Sequence, residues 1–252
     1  MYIILKCIII FNRVFILSFS CVAGLKGFIW GVGGMAGKDC LLDKDIREPL
    51  FEFLEERFDK VRILEEKRVG RAVADVIMVT PIALYGIEIK SDADTYARLE
   101  KQVEYYDMYF DRNIVVVGTS HAAHVGEHVP EHWGIITVEM DETGKVDFYV
   151  MREAGANSNL SDKLKLSLLW RPELANIQAK NDLPRYPGKS KSYVQDVLLE
   201  RVEPDVLWPQ FYNELFERDY TTIAETINEY RQATGQKKRK RKRFKRMRKI
   251  RT

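Results

Sequence analysis

Residues 73–90 read VADVIMVTPIALYGIEIK and restrict the fold more than any other stretch of the chain. Two apolar runs rich in β-branched residues flank Pro81, a composition that favours strands on either side of a turn. Each run carries one acid, Asp75 in the first and Glu88 in the second, and Lys90 follows. Charged side chains are almost never left in apolar surroundings without a partner. If 73–79 and 84–90 form an antiparallel hairpin turning over 80–83, facing residues have numbers that sum to 163. Asp75 then faces Glu88, with Cβ atoms about 5 Å apart. Lys90 lies two residues further and so shares the face of Glu88.

Two like charges opposed on a sheet repel. A divalent cation removes that penalty, and Mg2+ takes one or two carboxylates together with water and substrate phosphate. An ion so held polarises a phosphoryl oxygen and lowers the pKa of its bound water. The Lys90 ammonium can orient that water or stabilise charge at phosphorus. The trio therefore points to metal-dependent hydrolysis of a phosphodiester.

The flanking segments predict a mixed fold. Residues 43–58 have an apolar stripe of Ile46, Leu50, Phe53, Leu54 and Phe58 at helical spacing. Pro49 is awkward inside such a helix and predicts a start near Glu48. Strand-like runs follow at 61–65, 73–79 and 84–90, then a helix over 94–110 and a buried strand at 114–118. A short helix over 121–128 and a strand pair at 133–140 and 145–150 complete the first part. The expected class is α/β (α+β), a mixed central sheet with flanking helices. Beyond 151 the pattern turns helical, at 160–180, 192–202, 207–220 and 222–232, with a linker at 184–191.

Charge is unevenly spread. Residues 237–252 hold 12 Lys or Arg and no acid, and residues 1–34 hold Lys6, Arg13 and Lys26 and no acid. Of 40 bases, 25 remain in residues 35–236 against all 37 acids, a net charge of −12. An acidic body with a basic tail is no uniformly basic DNA-coating protein, so polyanion binding must come from the tail or a local groove. The tail is too dense in like charge to fold alone, and Lys237, Lys238 and Arg239 open it as non-specific nucleic-acid contacts.

The 1–34 segment is apolar, but its longest charge-free run after Arg13 has 12 residues, short of the roughly 20 a spanning helix needs. It reads as an extension outside the fold, with a start at Met35, a secretion signal or a membrane-associated anchor as the other readings. Cys7, Cys21 and Cys40 fit no metal motif or disulfide scaffold, which suits a reducing cytoplasm, with secretion through 1–34 the lesser alternative. His121, His124 and His128 would share one helical face. With no further ligand beyond Glu127 or Glu131, they read as surface histidines rather than a zinc site.

Asp75, twelve intervening residues, then Glu88-Ile89-Lys90 resembles the PD-(D/E)XK, restriction-endonuclease-like, nuclease superfamily. The resemblance covers about residues 43–150, from DIREPLFEFL through EIKSDADTYARLEKQ to VPEHWGII, and is similar to a small branch of bacterial and phage proteins. LLWRPE at 168–173 resembles the helical C-terminal part of that branch. Ala74 stands where the motif has proline.

The resemblance implies an αβββαβ core over 40–150, a helical appendage over 151–236 and a nuclease acting on DNA with Mg2+ or Mn2+. It implies Asp75 and Glu88 as metal ligands, the backbone carbonyl of Ile89 as a third, and Lys90 at the water or phosphate. Glu48 would add an acid from the first helix, with Glu52 as the alternative. Gln102, four residues before Tyr106 on the next helix, would face the cluster. Tyr106 would meet the helix–sheet seam or the substrate. Ser91 and Arg98 are further substrate contacts, although 91–95 also suits a helix cap. Two other readings use the same residues. One is a surface hairpin with the acids paired to Arg71, Arg98 or Lys90. The other keeps the fold without catalysis, as a nucleic-acid-binding or regulatory protein.

Overall fold

A computed structural model describes residues 41–218. They belong to one compact unit. The readings of 1–34, the three cysteines, the 222–232 helix and the 237–252 tail fall outside the described residues.

The first helix, α1 (Asp43–Phe58), leads into a meander of β1 (Arg62–Val69), β2 (Ala72–Val79) and β3 (Leu84–Lys90). Helix α2 (Leu99–Tyr109) then carries the chain to β4 (Arg112–Gly118), parallel to β3. β5 (Gly134–Met140) is parallel to β4, and β6 (Val146–Arg152) returns antiparallel. The six strands lie in sequence order in one mixed sheet. Helices α3 (Asp162–Leu166), α4 (Arg171–Lys180), α5 (Lys191–Arg201) and α6 (Pro204–Phe216) follow.

Strand alternation builds two cores. Val76, Met78, Ile87, Ile89, Ile114 and Val116 meet Ile46, Leu50 and Leu54 of α1 on one face. Ile77, Val79, Leu84, Val115 and Val117 meet α2 and the later helices on the other. Each fully buried Leu or Ile contributes about 1.5–3 kcal/mol. The helices beyond 151 thus share a hydrophobic core with the sheet and complete its second face.

Three elements differ from expectation for identifiable reasons. Helix α1 starts at Asp43 and runs through Pro49. The Leu42 N–H is capped by the Asp45 carboxylate at 3.2 Å, and burial of Ile46, Leu50 and Leu54 offsets the hydrogen bond that proline removes. The 160–180 segment is two helices. Pro172 is tolerated in the first turn of α4 but not inside a longer helix, and the Glu173 carboxylate accepts from the Trp170 N–H at 2.5 Å to start the new one. Residues 121–128 form turns and a short 3-10 segment at Val125–Glu127, so the three histidines share no α-helical face. His121 and His128 instead pack around the Tyr96 ring, with centroids 4.8 and 4.1 Å away.

Candidate functional site

The β2–β3 ladder pairs Val79 with Leu84, Met78 with Tyr85, Ile77 with Gly86 and Val76 with Ile87, the register that places Asp75 opposite Glu88. There the ladder stops. Asp75 Oδ2 accepts the Ile89 N–H at 3.0 Å, so a carboxylate takes up the next backbone donor. The β1 side is irregular at the same level. Glu66, between the pairs Glu65–Val76 and Lys67–Ala74, adopts φ 48°, a left-handed conformation unusual for a residue other than glycine. The irregularities on both sides open the sheet at Asp75.

Glu88 is 1% exposed, and both its oxygens are engaged. Oε1 accepts from Lys90 Nζ at 2.5 Å and from the Gln102 amide, while Oε2 accepts from the Tyr106 hydroxyl at 2.7 Å. Lys90 also donates to Gln102 Oε1 at 3.1 Å. The Asp75 N–H in turn donates to the Tyr106 oxygen at 3.2 Å. Gly86 permits this geometry. A Cβ there would overlap the Phe110 ring and come within 2.7 Å of Tyr106, so only glycine lets α2 approach β3 closely enough.

Burial, and next to it the charge of Glu88, push the Asp75 carboxyl up to about 7, against the opposing influence of the Ile89 N–H, Lys90 and Arg47. Burial and the neighbouring Glu88 and Asp75 also hold the Tyr106 phenol well above its ordinary value. Two acids thus compete for charge in one place, as their register requires.

Asp75, Glu88, Ile89, Lys90, Arg98 and Gln102 line an open cleft of about 690 Å³. Glu48 is exposed and not among the lining residues, and Glu52 lies beside a different hollow. The reason is helix phase. With Ile46, Leu50 and Leu54 facing the sheet, Asp43 and Arg47 are the α1 residues that line the cleft. Arg47 Nη2 is 3.8 Å from Asp75 Oδ1, Nη1 is 3.6 Å from Glu65, and Nε donates to Asp43 at 2.8 Å. The first helix brings a guanidinium to Asp75 where an acid was expected.

Tyr106 is fully buried, so its hydroxyl positions Glu88 at the helix–sheet seam and offers substrate no surface. Ser91 is 3% exposed, with its hydroxyl and N–H bonded to Asp94 at 2.7 and 2.9 Å, which makes it part of a local turn. Asp92 holds the Leu41 and Ser120 N–H groups at 3.3 and 3.2 Å. Arg71, Lys101 and Tyr105, none of them expected here as site residues, also line the cleft. The last two were legible as the stripe beside Gln102 and Tyr106, one position back on α2.

Among the described residues no three His, Cys, Asp or Glu are grouped to hold a metal ion. Asp75 and Glu88, with two oxygens each and lone pairs left over, fit an Mg2+ or Mn2+ ion that keeps most of its water. The charge of Glu88, which with burial pushes the Asp75 carboxyl up, is what such a cation would offset.

Fold and site together define a mixed-sheet αβ protein with an acid–lysine–amide–phenol network at the mouth of an open cleft. The chain belongs to the bacteriophage P4 protein cII family, whose model matches residues 38–247. No curated protein and no solved structure matches it. Among the described residues no helix is long and apolar enough to cross a membrane.

Proposed function

We propose that this protein is a divalent-metal-dependent nuclease that hydrolyses phosphodiester bonds in DNA, acting in the cytoplasm. One observation carries the reading. Asp75 and Glu88 repel each other at a solvent-open cleft while Lys90 stands 2.5 Å from Glu88. Asp75 and Glu88 would hold Mg2+ or Mn2+, with the Ile89 carbonyl as the further donor that the motif implies. When bound, the ion supplies charge neutralisation at the phosphate and acidifies a water. Lys90 sets an ammonium beside that centre, where it can orient the attacking water or stabilise charge on phosphate oxygens. Gln102 fixes Glu88 and Lys90 relative to each other, since it bonds both. Tyr106 locks the second oxygen of Glu88. The 237–252 tail adds sequence-independent attachment that weakens as salt rises.

Plasmid nicking by the full chain with Mg2+ or Mn2+, against its Lys90→Ala variant, tests this. The variant is expected to lose roughly a hundredfold or more, the scale of a positioned proton-transfer or charge-stabilising group. Equal activity in the two would end the catalytic assignment. One observation favours a second reading, a nucleic-acid-binding protein without cleavage. Lys90 is only 4% exposed, and two of its three donors are taken by Glu88 and Gln102. Binding with no nicking in either metal would select it.

A further inference from the structure

The cleft holds a second set of groups that the hydrolytic chemistry does not use. Arg71 follows the turn at Gly70 between β1 and β2, Arg98 ends the 3-10 turn Tyr96–Arg98, and Lys101 lies in the first turn of α2. All three are exposed and line the cleft, and their side chains have no hydrogen-bond or ion-pair partner among the described residues. Three uncompensated cations from three elements around one opening are completed by a polyanion.

Tyr105, one turn beyond Lys101, lines the same cleft and is half-buried. Its ring packs on Gly70, which has φ 58° and sits so close that a Cβ would lie 3.2 Å from the ring's Cδ1. The ring is therefore held against backbone before any ligand arrives. Val73 lines the cleft too and is 47% exposed, an apolar strand residue left uncovered.

We infer that Arg71, Arg98, Lys101 and Tyr105 form a subsite for an unpaired DNA strand, with phosphates on the cations and a base stacked on the Tyr105 ring. Cationic grooves with aromatic platforms are how unpaired strands are held without sequence readout. A base inside a duplex has both faces covered by its neighbours, so a ring set in the cleft wall is reached only by a splayed base. The use of the subsite rests on the nuclease reading, whereas the binding does not.

The test is fluorescence anisotropy of the full chain in EDTA, with a labelled mixed-sequence oligodeoxynucleotide and a hairpin duplex of the same sequence. The 237–252 tail contributes to both probes, so the ratio of the two affinities isolates the cleft. The single strand should bind more tightly. Tyr105→Ala should weaken it by about tenfold and leave the duplex unchanged, while Tyr105→Phe, which keeps the ring, should bind like the parent. Combined Arg71→Ala, Arg98→Ala and Lys101→Ala should lower the slope of log affinity against log salt by about 2.

Preference for the duplex, an unchanged ratio in Tyr105→Ala, or a Tyr105→Phe as weak as Tyr105→Ala would overturn the inference. If Tyr105→Ala does not fold, Lys101→Glu at its exposed position decides, since single-strand affinity equal to the parent's would overturn it as well. Failure of the nuclease reading shows separately, as absent nicking with the single-strand preference intact.

Discussion

Two hollows at opposite ends of the sheet use similar residues to opposite ends. The hollow at the starts of β4 and β5 contains Arg57, Arg112 and Arg152. Each is consumed by the protein itself. Arg57 pairs with Glu153, Arg112 donates to the Ala154 carbonyl, and Arg152 donates to the carbonyls of Trp133 and Pro130 at 2.6 and 2.9 Å. At the other end, where β2 begins and β3 ends, Arg71, Arg98 and Lys101 have no partner among the described residues, and Asp75 and Glu88 crowd each other. The composition of a hollow is therefore a poor guide to its role. What distinguishes the two is where the hydrogen-bonding capacity goes, into the fold at one end and outward at the other.

Substitutions can break this comparison. The largest contrast is in activity. Lys90→Ala should lower nicking by about 10²–10⁴-fold. Arg112→Ala should leave nicking unchanged and lower unfolding stability by about 1–3 kcal/mol, because it strips a donor from a carbonyl. Equal losses of activity in the two would erase the distinction.

The next effect is in pH. In the folded protein Asp75 keeps its proton up to about 7, whereas in the unfolded chain it releases it near 3.8. The native state thus binds more protons across that window, and the contribution of Asp75 to stability falls as pH rises through it. The fall is at most ~1.4 kcal/mol per pH unit. In EDTA, Asp75→Asn should melt like the parent at pH 4, gain on it up to pH 7 and hold a constant lead above. A variant less stable than the parent throughout would show instead that Asp75 serves a structural ion pair with Arg47.

Gly86→Ala comes third, with a loss of about 1–3 kcal/mol as the added methyl drives Phe110 and Tyr106 off β3. Nicking should fall with it, since Tyr106 then releases Glu88. A stable variant with full activity would show that the Tyr106 contact is idle. Arg57→Ala should have the smallest effect. Its pair with Glu153 is exposed, so chemical denaturation should move by no more than about 1 kcal/mol and nicking not at all.

The hairpin register was readable from sequence once the turn was set over 80–83 around Pro81, since facing residues then have numbers that sum to 163. Gln102 and Tyr106 came from the superfamily resemblance, which implies such a pair one helical turn apart on the helix after the motif. Glu48 was expected from the resemblance, which implies an acid on the first helix without fixing its phase, whereas the cleft is lined from α1 by Asp43 and Arg47. One residue of rotation is about 100°, enough to exchange Glu48 for Arg47 at the cleft. Residues 121–128 looked helical from their spacing, yet they form mostly tight i→i+3 turns with a single i→i+4 bond from Val125 to His121, and Gly126 and Pro130 do not favour its extension into a helix. The stop at Pro172 was visible in principle, since proline one or two residues into a helix marks a start. The free cations of the cleft were not, because lack of a partner is a property of the folded molecule.

The central claim is that Asp75 and Glu88 share one divalent ion, and thermal melting with and without Mn2+ tests it most directly. The parent should melt higher as Mn2+ is added, following mass action on the folded state. Asp75→Asn should be at least as stable as the parent in EDTA at neutral pH and should not respond to Mn2+. A parent indifferent to the ion, or an Asp75→Asn variant stabilised as much as the parent, would contradict it.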